Sequence, residues 1–320
     1  MSRFSSSLRI GTAAVLLPLL LVTPAFGWGP DGHKLINRLA GAGLPADVPE
    51  FLRSPEGLNT LEYLGPEPDR WRSPAEPELN AAQAPEHFID LEWADFVLTN
   101  GAGTLPRRRY DFIRALAAAQ GAHPDIPLTP EKVGLQPYVT VEVYERLKAA
   151  MREYRGLKAA NADTKPVECE IVFLAGWLGH YVGDGSMPLH TTIQYNGWTG
   201  PNPNGYTTEH KIHALFESVY VAANVKAGDV APLVAAKPVV LNDVFTEYVA
   251  YLRHSNTLVE KTYQLEKTGA FTGAGTAEGK AMIDERLAAG ATKLRDIIYT
   301  AWVKSADPVP EYRAEKPAGK

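Results

Sequence analysis

Apolar residues recur at helical intervals through most of this chain, and no stretch shows the sustained alternation of a half-buried strand. Val143, Leu147 and Met151, each four positions from the next, predict a helix over 139–154. Shorter helices are expected over Lys34–Ala42, stopped by Gly43, from Val48, and over Tyr110–Gln120. Two long ones close the chain near 242–267 and 277–304. The most apolar run, Ile171, Val172, Phe173, Leu174, Trp177 and Leu178, predicts a buried helix that ends before Pro188. Leu64–Arg72, with two prolines, and Asn196–Tyr206, rich in Gly, Pro and Asn, read as loops. There is no repeat and no domain boundary. The expectation is an all-α fold with one domain over 28–305.

The N-terminus changes the picture. Gly11–Val22 is uncharged and apolar behind Arg3 and Arg9, and Pro24-Ala25-Phe26-Gly27 offers small residues around a cut after Gly27. Residues 1–27 therefore read as a cleavable signal peptide, which implies a secreted or periplasmic protein without a stable membrane anchor. The tail 306–320, with Pro308, Pro310 and Pro317, is expected to lack structure. Hydrophobic content of 45% and charge of 22% are those of a soluble globular protein. Losing Arg3 and Arg9 takes the formal charge from −5 to −7. Such a chain is not held to nucleic acid by a broad basic face, so a polyanion would have to be attracted locally. Cys169 is the single cysteine, which excludes an internal disulfide and leaves packing or metals to staple the fold.

Candidate chemistry gathers in a few short motifs. His180 and Asp184 are four apart on the apolar helix, and His190 follows Pro188. Imidazole and carboxylate at such spacing are zinc-ligand chemistry, and a neutral core histidine beside a helix-end aspartate is the plainer reading. Trp28 to His33 would begin the mature chain, where a free amine and its own carbonyl can chelate a metal. Asp69 precedes Arg72 by three residues and is also a natural helix cap after Pro68. His87-Phe88-Ile89-Asp90 carries an imidazole and an acid. His213 and Glu217 repeat the four-residue spacing, with His210 a rival ligand. Arg107-Arg108-Arg109 reads as a solvated helix face. His123 and His254 read as structural or exposed, and 93–166 carries no ligand signature.

These motifs resemble the zinc-dependent S1/P1 nuclease family, which shares its helical fold with bacterial zinc phospholipases C. The family's W-G-x-x-G-H start is matched by Trp28–His33, its D-x-x-R by Asp69 and Arg72, and its H-F-I-D by His87–Asp90. The H-x3-D-x5-H core is matched by His180, Asp184 and His190. The last pair follows His190 by 23 residues, as in the nucleases, but as His213 and Glu217 where they carry H-x3-D. Glutamate there is the phospholipase choice. The 87–180 interval is longer than in the fungal nucleases, and the Asn196–Tyr206 loop differs from the family's base-site loop.

The resemblance implies three zinc ions. Asp69, His87, His180 and Asp184 would hold one. The amine and carbonyl of Trp28, with His33 and a bridging Asp184, would hold a second. His190, His213 and Glu217 would hold the third. Arg72 and Asp184 would serve catalysis, and Phe88 and Asp90 would bind a base by stacking and hydrogen bonding. The implied activity is endonucleolytic hydrolysis of single-stranded DNA or RNA to 5′-phosphates, extending to 3′-nucleotides. The alternative is a phospholipase C acting on phosphatidylcholine-type lipids. No protein partner is implied.

Overall fold

The computed structural model describes residues 28–98 and 104–310. The expected signal peptide and residues 311–320 of the expected tail lie outside them. The described residues contain helices and turns, with no strand beyond isolated bridges such as Ile89 with Gly134. The fold is all-α.

The organising element is α5, Lys165–Ser186, whose C-terminal part from Leu178 to Ser186 is wholly buried. It packs along α4 (Gln136–Ala159), α8 (Ala277–Lys304), α2 (Pro55–Leu64) and α1 (Pro30–Ala42). The buried apolar side chains of these helices belong to one continuous core, which includes Ile36, Leu61, Leu147, Ile171, Leu178 and Leu294. Helix α3 (Arg109–Ala122) and the pair α6 (Val244–Asn256) and α7 (Val259–Lys267) flank this centre. No helix among the described residues is long and apolar enough to cross a membrane.

Local chemistry explains three departures from the expected elements. Helix α1 starts at Pro30, earlier than Lys34, because proline suits the first helical position and has no N–H to leave unpaired. His33 is therefore fixed on a helix. Within Leu64–Arg72 the expected loop is a short helix over Glu67–Trp71, with Pro68 in its first turn. The expected long helix near 242–267 is broken at Thr257, whose hydroxyl donates to His254 O at 2.6 Å, while Asn256 Nδ2 donates to Thr191 O at 2.9 Å. Both bonds favour a turn that ties α6 to the segment after His190.

A close approach of α1 to α5 aligns their histidines. A Cβ on Gly183 would sit 3.0 Å from His33 Nδ1, so glycine lets that imidazole lie against α5. Asn37, one turn further along α1, donates through Nδ2 to Leu61 O at 2.9 Å and Gly176 O at 3.0 Å, pinning α1 between α2 and α5.

Candidate metal centre

Helix α5 presents His180 and Asp184 on one face, and the turn that Pro188 enforces brings His190 back beside them. Asp184 Oδ1 lies 3.3 Å from His33 Nε2. Its Oδ2 lies 3.2 Å from His87 Nδ1, 3.3 Å from His180 Nε2 and 3.9 Å from His190 Nδ1. His180 Nε2 and His87 Nδ1 are 2.9 Å apart, and Asp69 Oδ1 is 3.7 Å from each. Next to them, Glu217 Oε2 is 3.0 Å from His213 Nε2 and 3.6 Å from His190 Nε2. The donors thus form three groups: His33 with His180 and Asp184, Asp69 with His87 and His180, and His190 with His213 and Glu217.

The rings are oriented from outside the cluster. His180 Nδ1 donates to Gly65 O at 2.9 Å, His190 Nδ1 to His87 O at 2.7 Å, and His213 Nδ1 to Tyr195 O at 2.9 Å. A carbonyl can only accept, so in each neutral ring the proton is on Nδ1 and the Nε2 lone pair is free, the usual support for a metal-binding histidine. His213 and Glu217 owe their approach to local backbone too, since 215–219 winds as a π-helix, a widened turn often found at functional sites.

The atoms facing inward fit a cation. Both nitrogens of His33, both oxygens of Asp69 and of Glu217, Asp184 Oδ1 and His190 Nε2 are buried without a hydrogen-bond partner. Buried polar groups are seldom left so, and apart from the one N–H of the neutral His33 ring these are acceptors or lone pairs crowded together. Metal ions would satisfy them at once. His87 leaves its Nε2 buried and unpartnered, turned away from the other donors.

Burial and mutual charge set the protonation of the cluster. Burial, reinforced by His180, holds His33 down to about 4, and burial holds His87 and His213 down to about 3. Burial opposes charge on His180 as well, but Asp184 and Asp69 outweigh it and raise that ring above its usual value. Burial pushes Asp184 up, and His180 and His190 outweigh it, so this carboxylate stays ionised well below the usual range. Glu217 is raised well above its usual value by burial and by Asp69 and Asp184. Burial lifts Asp69 to about 6. Three carboxyl groups this close call for positive charge among them.

No family model and no curated protein matches this chain. Among solved structures it is similar to an alpha-toxin of Clostridium perfringens from an avian strain, at 15% identity and a TM-score of 0.40. That likeness covers 90% of this chain and 68% of the toxin chain. A likeness of that degree leaves the function to be read from the residues of the site.

The cluster opens onto a cleft of about 340 Å³ lined by His87, His190, His213, Arg72, Phe88 and Asp90, with Trp93, Ile193 and Tyr195 on its walls. Arg72 ends the short helix that carries Asp69, so the two approach the cluster together. Trp28 is fully buried against Phe216, and its Nε1 donates to Gly183 O at 2.9 Å and Ser186 Oγ at 2.7 Å. Gly29 N donates to Glu217 O at 3.3 Å, which holds the main chain next to Trp28 against the same segment. His210 is not among the clustered donors. It is exposed, with Nδ1 2.6 Å from Asn196 O, so the structure brings His213 to the site and leaves its rival outside. His123 and His254 are exposed.

Sequence reasoning missed what supports the site from 93–166. Glu131 and Lys132, on the short helix Pro130–Val133, line the cleft. Val133 O accepts from Asp90 N at 2.8 Å, and Phe88 O accepts from Gln136 N at 3.2 Å. Gly134, at a φ of 90°, permits this pairing, because a Cβ there would be 2.1 Å from Phe88 O. Behind His87, Arg109 bridges Glu86 at 2.8 Å and Glu142 at 2.9 Å, so one member of the arginine triplet is structural. Main-chain contacts of this kind leave no spacing signature. The one residue type there that could have signalled it is Gly134 itself.

Proposed function

We propose that this chain is a secreted zinc-dependent phosphodiester hydrolase, a nuclease acting on single-stranded DNA or RNA to leave 5′-phosphates and accepting 3′-nucleotides as well. The observation that carries the reading is the convergence of three unsatisfied donor groups behind one cleft that also holds Arg72, Phe88 and Asp90. Asp69, His87, His180 and Asp184 would hold one ion. His33, Asp184 and the freed amine and carbonyl of Trp28 would hold another, and His190, His213 and Glu217 a third. Zinc in such a cluster supplies Lewis-acid polarisation of a phosphoryl oxygen and a means of ionising water near neutral pH.

The residues of the chain supply the rest. Arg72 offers a guanidinium to the phosphoryl oxygens, where negative charge grows during hydrolysis. Phe88 offers a ring on which a base stacks, which requires the base to be unpaired. Burial, with the charge of Glu92, lifts Asp90 to about 8, so near neutral pH its carboxyl carries a proton and can both donate and accept at a base edge. The carbonyls on His180, His190 and His213 keep their Nε2 lone pairs directed inward.

A second reading, a zinc phospholipase C on phosphatidylcholine-type lipids, draws on Glu217 and on the apolar wall of Trp93, Leu189 and Ile193. Assaying the zinc-loaded chain starting at Trp28 on single-stranded DNA, RNA, a 3′-nucleotide and phosphatidylcholine vesicles tests both. Cleavage of nucleic acid is expected. Turnover of phosphatidylcholine alone would transfer the case to the lipid enzyme, and no turnover on any substrate would overturn both.

A further inference from the structure

Helix α7 contributes no donor to the cluster, yet one of its side chains governs how a donor is held. Tyr263 is fully buried, its ring 5.2 Å from that of Trp198 and 5.6 Å from that of Tyr206. Its hydroxyl donates to Gln194 O at 2.5 Å and accepts from Gly197 N at 2.9 Å. One phenol thus closes a loop around Tyr195 and Asn196. Those two residues are what His213 rests on: Tyr195 O accepts from His213 Nδ1 at 2.9 Å, and Asn196 Oδ1 accepts from His213 N at 3.4 Å.

The rest of the loop is fastened to the same face of α7. Glu260 Oε1 accepts from Tyr206 OH at 2.8 Å and Asn204 Nδ2 at 3.1 Å, and Lys267 Nζ donates to Asn204 O at 2.6 Å. Glu260, Tyr263 and Lys267 stand three and four residues apart, which puts them on one helical stripe.

The consequence concerns a tautomer. A neutral imidazole has one N–H. With Tyr195 O in place, the proton of His213 stays on Nδ1, and Nε2 presents a lone pair. Without that carbonyl the ring is free to turn, and its proton can move to Nε2 and be donated to Glu217 Oε2, 3.0 Å away. That internal hydrogen bond would close the donor group to a cation.

We infer that Tyr263 is a positioning residue for the His190, His213 and Glu217 group, holding the Tyr195 carbonyl against His213 so that Nε2 remains a ligand. The inference rests on the metal-centre reading for its consequence, and on the hydrogen bonds alone for its mechanism.

The test uses Tyr263→Phe, which keeps the ring and deletes the hydroxyl. In the metal-free full chain, nitrogen-15 NMR of His213 should show the Nδ1–H tautomer in the parent protein and a growing share of Nε2–H in the variant. Zinc titration against a competing chelator should show one ion bound about 10- to 100-fold more weakly, with the others unchanged. Tyr206→Phe is the control, because it removes one bond to Glu260 without touching Gln194 or Gly197, and should leave both readouts unchanged. Parent-like tautomer and zinc binding in Tyr263→Phe would overturn the inference. So would an equal loss in Tyr206→Phe, which would indicate general loosening of the loop. A parent chain that binds no zinc would remove the metal-centre reading, while the tautomer measurement would still decide the role of Tyr263.

Discussion

Asp184 turns Oδ1 to His33 Nε2 at 3.3 Å and keeps Oδ2 for the imidazoles of His87 and His180 on its other side. One carboxylate thus lies against donors of two groups. Asp184→Ala should therefore lower the zinc content by two equivalents, whereas His213→Ala should lower it by one. Elemental analysis of the dialysed variants checks this, and equal losses would show that Asp184 does not bridge.

Glu217→Asp should retain reduced activity and Glu217→Ala should retain none. The shorter side chain must reach across one missing methylene to a group framed by His190 and His213 at 3.6 and 3.0 Å. His210→Ala should behave as the parent, because that imidazole is exposed and engaged with Asn196 O. Full activity and zinc content in His213→Ala would refute the assignment.

A chain with one residue added before Trp28 should lack the ion expected at His33 while keeping the indole anchored on Gly183 O and Ser186 Oγ. An amide nitrogen cannot replace a neutral amine as a ligand. Zinc stoichiometry and activity of a Met-Trp28 chain measure this, and undiminished values would exclude terminal-amine ligation.

Phe88→Ala should weaken single-stranded DNA cleavage about 5- to 150-fold in KM, the range that corresponds to a lost stacking contact of roughly 1–3 kcal/mol. Hydrolysis of a small base-free phosphodiester should be spared, and so should zinc content. Equal losses on the two substrates would mean that the ring only packs.

The metal-free protein should lose stability as pH falls from about 6.5 toward 4. His33, held down to about 4, and His87 and His213, held down to about 3, stay neutral when folded. The unfolded chain takes up those protons near the free value of about 6.5, so acid favours unfolding. His180, raised by Asp184 and Asp69 against its burial, acts oppositely: its contribution is full at low pH and fades as pH rises through its folded value. His190, also lowered by burial, adds to the loss, whereas Asp69, Asp90 and Glu217, whose folded values are raised, favour the folded state as pH falls. Within the site, four lowered rings against three raised carboxyl groups set the net sign. Melting of the chelator-treated protein across this range checks it, and a flat or rising profile toward acid would contradict it.

The sequence by itself determined what depends on neighbours along the chain. Helical periodicity marked α4, α5 and α8, and Pro188 marked the turn that carries His190, because period and proline act locally. The same locality gave His180 with Asp184 and His213 with Glu217 as pairs on single helix faces. Only the tertiary structure decided how the pairs combine. His33, Asp69 and His87 come from three separate segments, and His33 meets Asp184 because Gly183 and Asn37 let α1 lie close against α5. His210 remained a rival to His213 by sequence, and the choice fell to which ring is buried beside Glu217. The carbonyls of Gly65, His87 and Tyr195, which fix the ligand tautomers, belong to every residue type alike. Their roles come from where the folded backbone passes, which no residue identity encodes.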